Sequence, residues 1–134
     1  MGEKPFSVLD DKPLTLAVRR RGCFTEHLID LERGANVYVR GPYGVPVQRE
    51  DFSQIVLVSG GCGLAALYQM ARDFHNAEVF LGAKTQEDLF YLEKVRQCAK
   101  VHVATEDGSL GYKGLVTELL QQQLQELLLT MKRL

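Results

Sequence analysis

Residues 54–68, QIVLVSGGCGLAALY, restrict the possible folds of this chain more than any other stretch. Ile55-Val56-Leu57-Val58 is a short apolar run rich in β-branched residues, the pattern of a strand buried on both faces. It breaks at Ser59-Gly60-Gly61-Cys62-Gly63 and resumes in good helix formers from Leu64 to Ala71. Strand, glycine turn and helix in that order leave unpaired backbone N–H groups at a helix start, which is an anion site. Gly61-Cys62-Gly63-Leu64-Ala65-Ala66 also fits the G-x-G-x-x-A form of the dinucleotide fingerprint. Two readings stand side by side here: a phosphate cradle, or a turn whose glycines serve packing alone. An ordinary Rossmann site would place an acid at the tip of the next strand. The strand predicted over 77–81 runs instead into Gly82-Ala83-Lys84, so a bound dinucleotide would need another group to hold its adenosine.

Beyond residue 54, strands and helices alternate, which implies a parallel sheet and an α/β fold. The pattern predicts a strand over 77–81, then a helix over 86–99 with Leu89, Leu92 and Val95 on one face. A strand over 101–105 follows, and a last helix over about 113–131. Open parallel sheets bind ligands outside the C-terminal ends of their strands. Three loops meet there: 59–63, 82–88 and 105–113. Thr105, Asp107 and Ser109 offer donors and acceptors suited to ribose hydroxyls, and are equally the residue types of an ordinary turn.

The first forty residues read differently, as antiparallel β structure. Strands are predicted over 5–9, 14–19 and 36–40, with a turn at 10–13 and one short helix over 24–31. Gly41-Pro42-Tyr43-Gly44-Val45-Pro46 packs two glycines and two prolines into six residues. That composition break divides the chain into 1–46 and 47–134.

A formal net charge of −1 over 134 residues gives no basis for attraction to nucleic acid or to a membrane surface. No apolar run approaches the roughly 20 residues of a membrane helix. The start, Met1-Gly2-Glu3-Lys4-Pro5, lacks the apolar core of a signal peptide, so a cytoplasmic location is expected. Cys23, Cys62 and Cys98 form no C-x-x-C pair, and His27, His75 and His102 are scattered, so no metal site is expected.

Several stretches taken together resemble the ferredoxin–NADP reductase superfamily, in which a flavin domain precedes a pyridine-nucleotide domain. Lys4-Pro5-Phe6-Ser7-Val8 looks like the family's flavin motif, usually Arg-x-Tyr-Ser, and Gly41-Pro42-Tyr43-Gly44 resembles its interdomain loop. Gly60-Gly61-Cys62-Gly63-Leu64-Ala65-Ala66 resembles the family's pyrophosphate loop, GGxGxAP. Gly82-Ala83-Lys84 with Asp88-Leu89-Phe90-Tyr91 looks closest to one branch. So does Thr105-Glu106-Asp107-Gly108-Ser109 with Gly111-Tyr112-Lys113-Gly114. That branch is the electron-transfer subunit of class 1B dihydroorotate dehydrogenase, with sulfhydrogenase gamma subunits as near cousins.

The resemblance implies FAD on a β-barrel and NAD(P)H, with NADH favoured, on the α/β part. No side chain would act as acid or base. Hydride would pass from nicotinamide to flavin, and electrons would leave through a [2Fe–2S] cluster carried by a C-terminal part outside this stretch. The recipient would be a partner subunit, a dihydroorotate dehydrogenase or a hydrogenase. Lys4 would then pair with the FAD phosphates, Phe6 would stack on flavin or ribose, and Ser7 would lie near the hydride-accepting nitrogen. Gly22 and Thr25 would hold the FAD pyrophosphate at a helix start. Ser59, Gly60, Gly61, Cys62 and Gly63 would cradle the NAD pyrophosphate, joined by Gly82, Lys84, Asp88, Thr105 and Ser109. Asp107 would hold the adenosine ribose.

The chain departs from the family pattern in Lys4 for arginine, in Ala66 for proline, and in lacking the first barrel strands and a Cys-Gly-Pro strand. It reads as a fragment. Three strands of an open half-barrel expose edges, so a homodimer or a covering partner chain is expected.

Overall fold

The computed structural model describes residues 2–48 and 54–132. Two sheets form: a hairpin of β1 (Val8–Asp11) and β2 (Leu14–Leu16), and a parallel sheet ordered β3 (Ile55–Gly60), β4 (Ala77–Ala83), β5 (Lys100–Thr105) and β6 (Tyr112–Lys113). The helices are α1 (Cys23–Ile29), α2 (Leu64–Asp73), α3 (Leu92–Arg96) and α4 (Val116–Met131).

The sequence predicts burial on both faces for the strand at 55–58, but it is β4 that is covered on both faces, while β3 is covered on one. Leu57 lies beside Val79 and Ser59 beside Leu81, with Val103 next in line. On this face α2 lays down Leu64, Ala65, Tyr68 and Ala71, and α3 adds Val95. Burying a side chain such as Leu57, Leu64, Val79 or Val95 is worth about 1.5–3 kcal/mol. On the opposite face Phe80 and Ala104 meet Leu119 of α4, with Val116, Leu120 and Tyr112 around them. That cover is partial. Val56 and Val58 stay exposed on β3, which has a strand on one side only among the described residues. Further out, Glu78 of β4 accepts from His102 and Lys100, and the His102 ring stacks on Phe80. Burial works to raise the Glu78 pKa, but the bonds from His102 and Lys100 outweigh it and hold the carboxyl below its ordinary value.

The first part of the chain departs furthest from its sequence pattern. Residues 36–40 form no strand and are exposed throughout. Period-two alternation makes a strand only where a neighbouring strand accepts its hydrogen bonds, and none lies beside this segment among the described residues. Asp10 and Asp11, expected in a turn, belong to β1, and β2 stops at Leu16. The helix predicted over 24–31 begins at Cys23 and ends at Ile29.

The helix predicted over 86–99 is also broken. A single 3₁₀ turn, Gln86–Asp88, is followed by an extended stretch and then by α3. Tyr91 adopts a left-handed φ of 61°, which a continuous helix does not allow. Its ring packs edge-on against Tyr68 of α2 at 5.0 Å, and Leu89, Leu92 and Val95 still reach the core. An aromatic contact onto α2 thus stands within the stretch where a continuous helix is predicted. The last helix starts at Val116, because Tyr112–Lys113 first pairs with β5 as a short strand.

Candidate dinucleotide site

At the end of β3 the chain turns through a 3₁₀ segment, Gly61–Gly63, directly into α2. Gly61 has φ +50°, a conformation that costs any L side chain. A β-carbon on Gly60 or Gly61 would meet nothing within 4 Å, so the outer surface of the turn is bare backbone. Among the described residues no side chain caps either the 3₁₀ turn or α2. Beneath the turn, Ser59 is 3 % exposed and its hydroxyl has no hydrogen-bond partner among the described residues. That oxygen lies 3.1 Å from where a Gly63 β-carbon would stand, so it sits directly under the helix start. A buried, unpaired hydroxyl costs free energy unless something completes it. Uncapped N–H groups, bare glycines and an orphaned hydroxyl in one place fit a pyrophosphate.

The prediction that follows has opposite signs for folding and binding. Ser59→Ala removes the unsatisfied group and is expected to stabilise the unliganded chain by about 1 kcal/mol, raising its thermal midpoint by roughly 3 °C. The same change is expected to weaken NADH binding severalfold. A melting curve and a fluorescence titration check both; a lower midpoint would mean that the hydroxyl already has a structural partner.

The other two loops are fastened to each other. Backbone N–H groups of Glu106 and Asp107 donate to the carbonyls of Ala83 and Lys84 at 3.1 and 3.2 Å. The Gln86 N–H donates to the Ser109 hydroxyl at 2.7 Å. Ser109 in turn donates from its hydroxyl and its N–H to Asp107 Oδ1, at 2.6 and 2.9 Å. These two bonds hold the Asp107 carboxyl below its ordinary pKa, and the side chain remains exposed. Thr105 is fully buried; its hydroxyl donates to the Leu110 carbonyl and accepts the Leu110 N–H. Thr105 and Ser109 therefore shape the loop through their hydroxyls, while Asp107 keeps an exposed carboxylate beside them. Lys84 is exposed near it, and Asp88 accepts from Thr85 at 3.2 Å.

Gly82 lies deeper than its neighbours in the motif. A β-carbon there would come within 2.7 Å of Val116, so the glycine is needed for α4 to cross the strand end. Neither Val116 nor the packing it demands is apparent from residues 82–84, because α4 is more than thirty residues away in sequence. Cys62 is exposed in the turn. Cys98 instead bonds its thiol to the Val95 carbonyl, and burial raises its pKa.

The residues assigned by resemblance to FAD lie in the first part. Phe6 stacks on Phe24 of α1 with centroids 6.3 Å apart, while Lys4 and Ser7 are exposed. Gly22 is the residue before α1, at φ +148°. Thr25 is inside α1 rather than at its start. Its hydroxyl still reaches back, accepting from the Arg21 N–H at 2.8 Å and donating to the Gly22 carbonyl at 3.0 Å. Sequence reading missed Arg72, which ties α2 to β1 through Asp10 and Asp11. Those residues lie about sixty positions apart, and no local pattern pairs them.

Among the described residues no three His, Cys, Asp or Glu side chains gather to hold a metal ion, and no helix is long and apolar enough to cross a membrane. An open depression lined by Gln54, His75, Asn76, Glu78, Arg96 and Lys100 lies at the opposite end of the strands, away from the glycine turn.

No protein-family model matches the chain. It is similar to a probable dihydroorotate dehydrogenase B (NAD(+)) electron transfer subunit of Pyrococcus abyssi, 37 % identical over 126 residues, covering 92 % of this chain and 49 % of that protein. The protein of the same description from Methanocaldococcus jannaschii is 32 % identical over 128 residues, again covering 92 % of this chain and 49 % of the relative. Among solved structures, one described as an NADH-dependent reduced ferredoxin–NADP oxidoreductase matches with a TM-score of 0.72 at 31 % identity. That match covers 83 % of this chain and 42 % of the other. The chain spans about half the length of the curated relatives it matches. Over that span it is similar to electron transfer subunits of dihydroorotate dehydrogenase B and to that ferredoxin–NADP oxidoreductase.

Proposed function

We propose that the chain is a working part of an electron-transfer oxidoreductase subunit. Residues 47–134 hold a nicotinamide dinucleotide and residues 1–46 contribute to holding FAD. The observation that carries the reading is the buried Ser59 hydroxyl, without a hydrogen-bond partner among the described residues, beneath a glycine turn that none of their side chains caps. On this reading the pyrophosphate lies over Gly60–Gly63, Asp107 receives ribose hydroxyls, and Lys84 and Asp88 border the adenosine side. An exposed carboxylate at the ribose favours NADH, because the extra phosphate of NADPH would meet like charge.

When bound, the nicotinamide supplies hydride and the flavin accepts it. The protein's own contribution is to place the two groups and exclude water. Lys4, Phe6 and Ser7, with Gly22 and Thr25 nearby in α1, are the proposed FAD contacts. Electrons would pass on to a catalytic oxidoreductase subunit, a dihydroorotate dehydrogenase or a hydrogenase, in the cytoplasm. The exposed Val56, Val58 and the leucines of the second half of α4 favour an assembly, either a homodimer or a complex with that subunit.

The test is an absorbance spectrum after incubation with FAD and desalting, repeated after anaerobic NADH. A retained flavin band that bleaches with NADH is the expected result; a colourless protein would overturn the FAD assignment. A second reading is a nucleotide-binding or docking piece without redox activity of its own. It is favoured by the flavin side, which offers a two-stranded hairpin and an exposed segment over 36–48. That reading expects saturable NADH binding without any flavin band.

A further inference from the structure

The hairpin and α2 meet through four consecutive residues of β1. The Val8 carbonyl accepts from the Gln69 amide at 3.0 Å. Leu9, 2 % exposed, enters the core beneath α2. Asp10 takes a 2.6 Å bond from Arg72 Nη1, which also reaches Asp11 at 3.0 Å. Asp73, next in the chain, takes the other side of the same guanidinium through Nε at 2.8 Å. With Nε turned toward Asp73, Nη1 is aimed at the hairpin. A planar fork can satisfy carboxylates on two sides in this way, which a lysine ammonium on a flexible stem cannot do.

The place of this clamp matters more than its strength. Ser7, the last residue of the flavin motif, adjoins Val8, and the glycine turn runs straight into α2. Arg72 therefore joins the strand that continues from one proposed cofactor site to the helix that starts at the other.

We propose that Arg72 is a positioning residue for hydride transfer, setting the separation of flavin and nicotinamide by clamping β1 to α2. The inference rests on the function proposed above. Hydride transfer needs its reacting atoms close together, and a displacement of about 1 Å can cost two orders of magnitude in rate. Binding of either cofactor alone needs no such alignment. The clamp should therefore govern the rate at saturating NADH and leave affinity nearly unchanged.

The experiment is anaerobic stopped-flow reduction of the FAD-loaded full chain by NADH, followed at the flavin band. Arg72→Ala is expected to lower the limiting rate at least tenfold, with the half-saturating NADH concentration within threefold of the parent. Arg72→Lys is expected to recover part of that rate. Asp10→Asn, which keeps the side-chain shape, is expected to lower the rate severalfold, and it decides the matter should Arg72→Ala fail to fold. Unchanged limiting rates in the variants that fold, or an effect confined to NADH affinity, would overturn the inference. A parent chain that retains no FAD, or that binds FAD but is not reduced by NADH, would overturn the functional reading and the inference with it. The parent's own trace thus separates the two failures.

Discussion

Replacing Gly111 with alanine is expected to lower the stability of the chain by about 2–5 kcal/mol, a large part of the total for a domain of this size. Gly111 adopts φ +71°, and the left-handed region costs an L residue roughly 1–2 kcal/mol. The larger cost is steric. A β-carbon at this position would collide with the carbonyl oxygen of Val103, and would also press on the Val103 Cβ at 3.1 Å. Val103 is a buried residue of β5 whose backbone is held in register with Leu81, so the oxygen cannot give way without disturbing the sheet. Overpacking of this kind typically adds about 1–3 kcal/mol. Gly34→Ala is the internal control: it shares the positive φ, at +95°, but meets nothing within 4 Å. Thermal unfolding followed by circular dichroism should show Gly34→Ala slightly below the parent and Gly111→Ala lower by roughly 10 °C or more. Equal midpoints for the two variants would mean that the Val103 contact relaxes.

The second large effect is on binding, with folding left intact. Gly60 sits at φ −110° and ψ 128°, ordinary extended backbone that alanine adopts without strain. The methyl group would enter open space on the turn. Gly60→Ala should therefore leave stability unchanged or raise it by a few tenths of a kcal/mol. If a pyrophosphate lies against that backbone, the same methyl group stands in its place. NADH affinity is then expected to fall tenfold or more, equal to about 1.4 kcal/mol per factor of ten. Isothermal titration on both proteins gives the answer. Undiminished affinity in Gly60→Ala would put the ligand elsewhere.

The difference between these two glycines shows how far the sequence was legible. Residues 55–71 could be read directly, because the strand, the turn and the apolar face of α2 are all specified within a few neighbours. The parallel sheet followed from the same local alternation. Where the outcome depended on distant partners, local pattern failed. Residues 36–40 alternate like a strand, yet no strand lies beside them among the described residues. Residues 86–99 have helical spacing, yet Tyr91 finds a better place against Tyr68 and interrupts the helix. The site divides along the same line. The glycine turn was visible as a motif. That Thr105 would spend its hydroxyl on Leu110, or that Gly82 would lie under Val116, depended on loops and a helix not yet placed.

The bonds that join the 83–86 and 105–109 loops have a consequence for the timing of binding. Because Gln86, Ser109 and Asp107 already hold one another, this rim does not have to be organised when a ligand arrives. Conformational entropy that a mobile rim would lose at that moment was lost during folding. A dinucleotide approaching Asp107 thus meets a surface already set in shape, and its association should proceed in a single kinetic phase with no slow step of closure behind it.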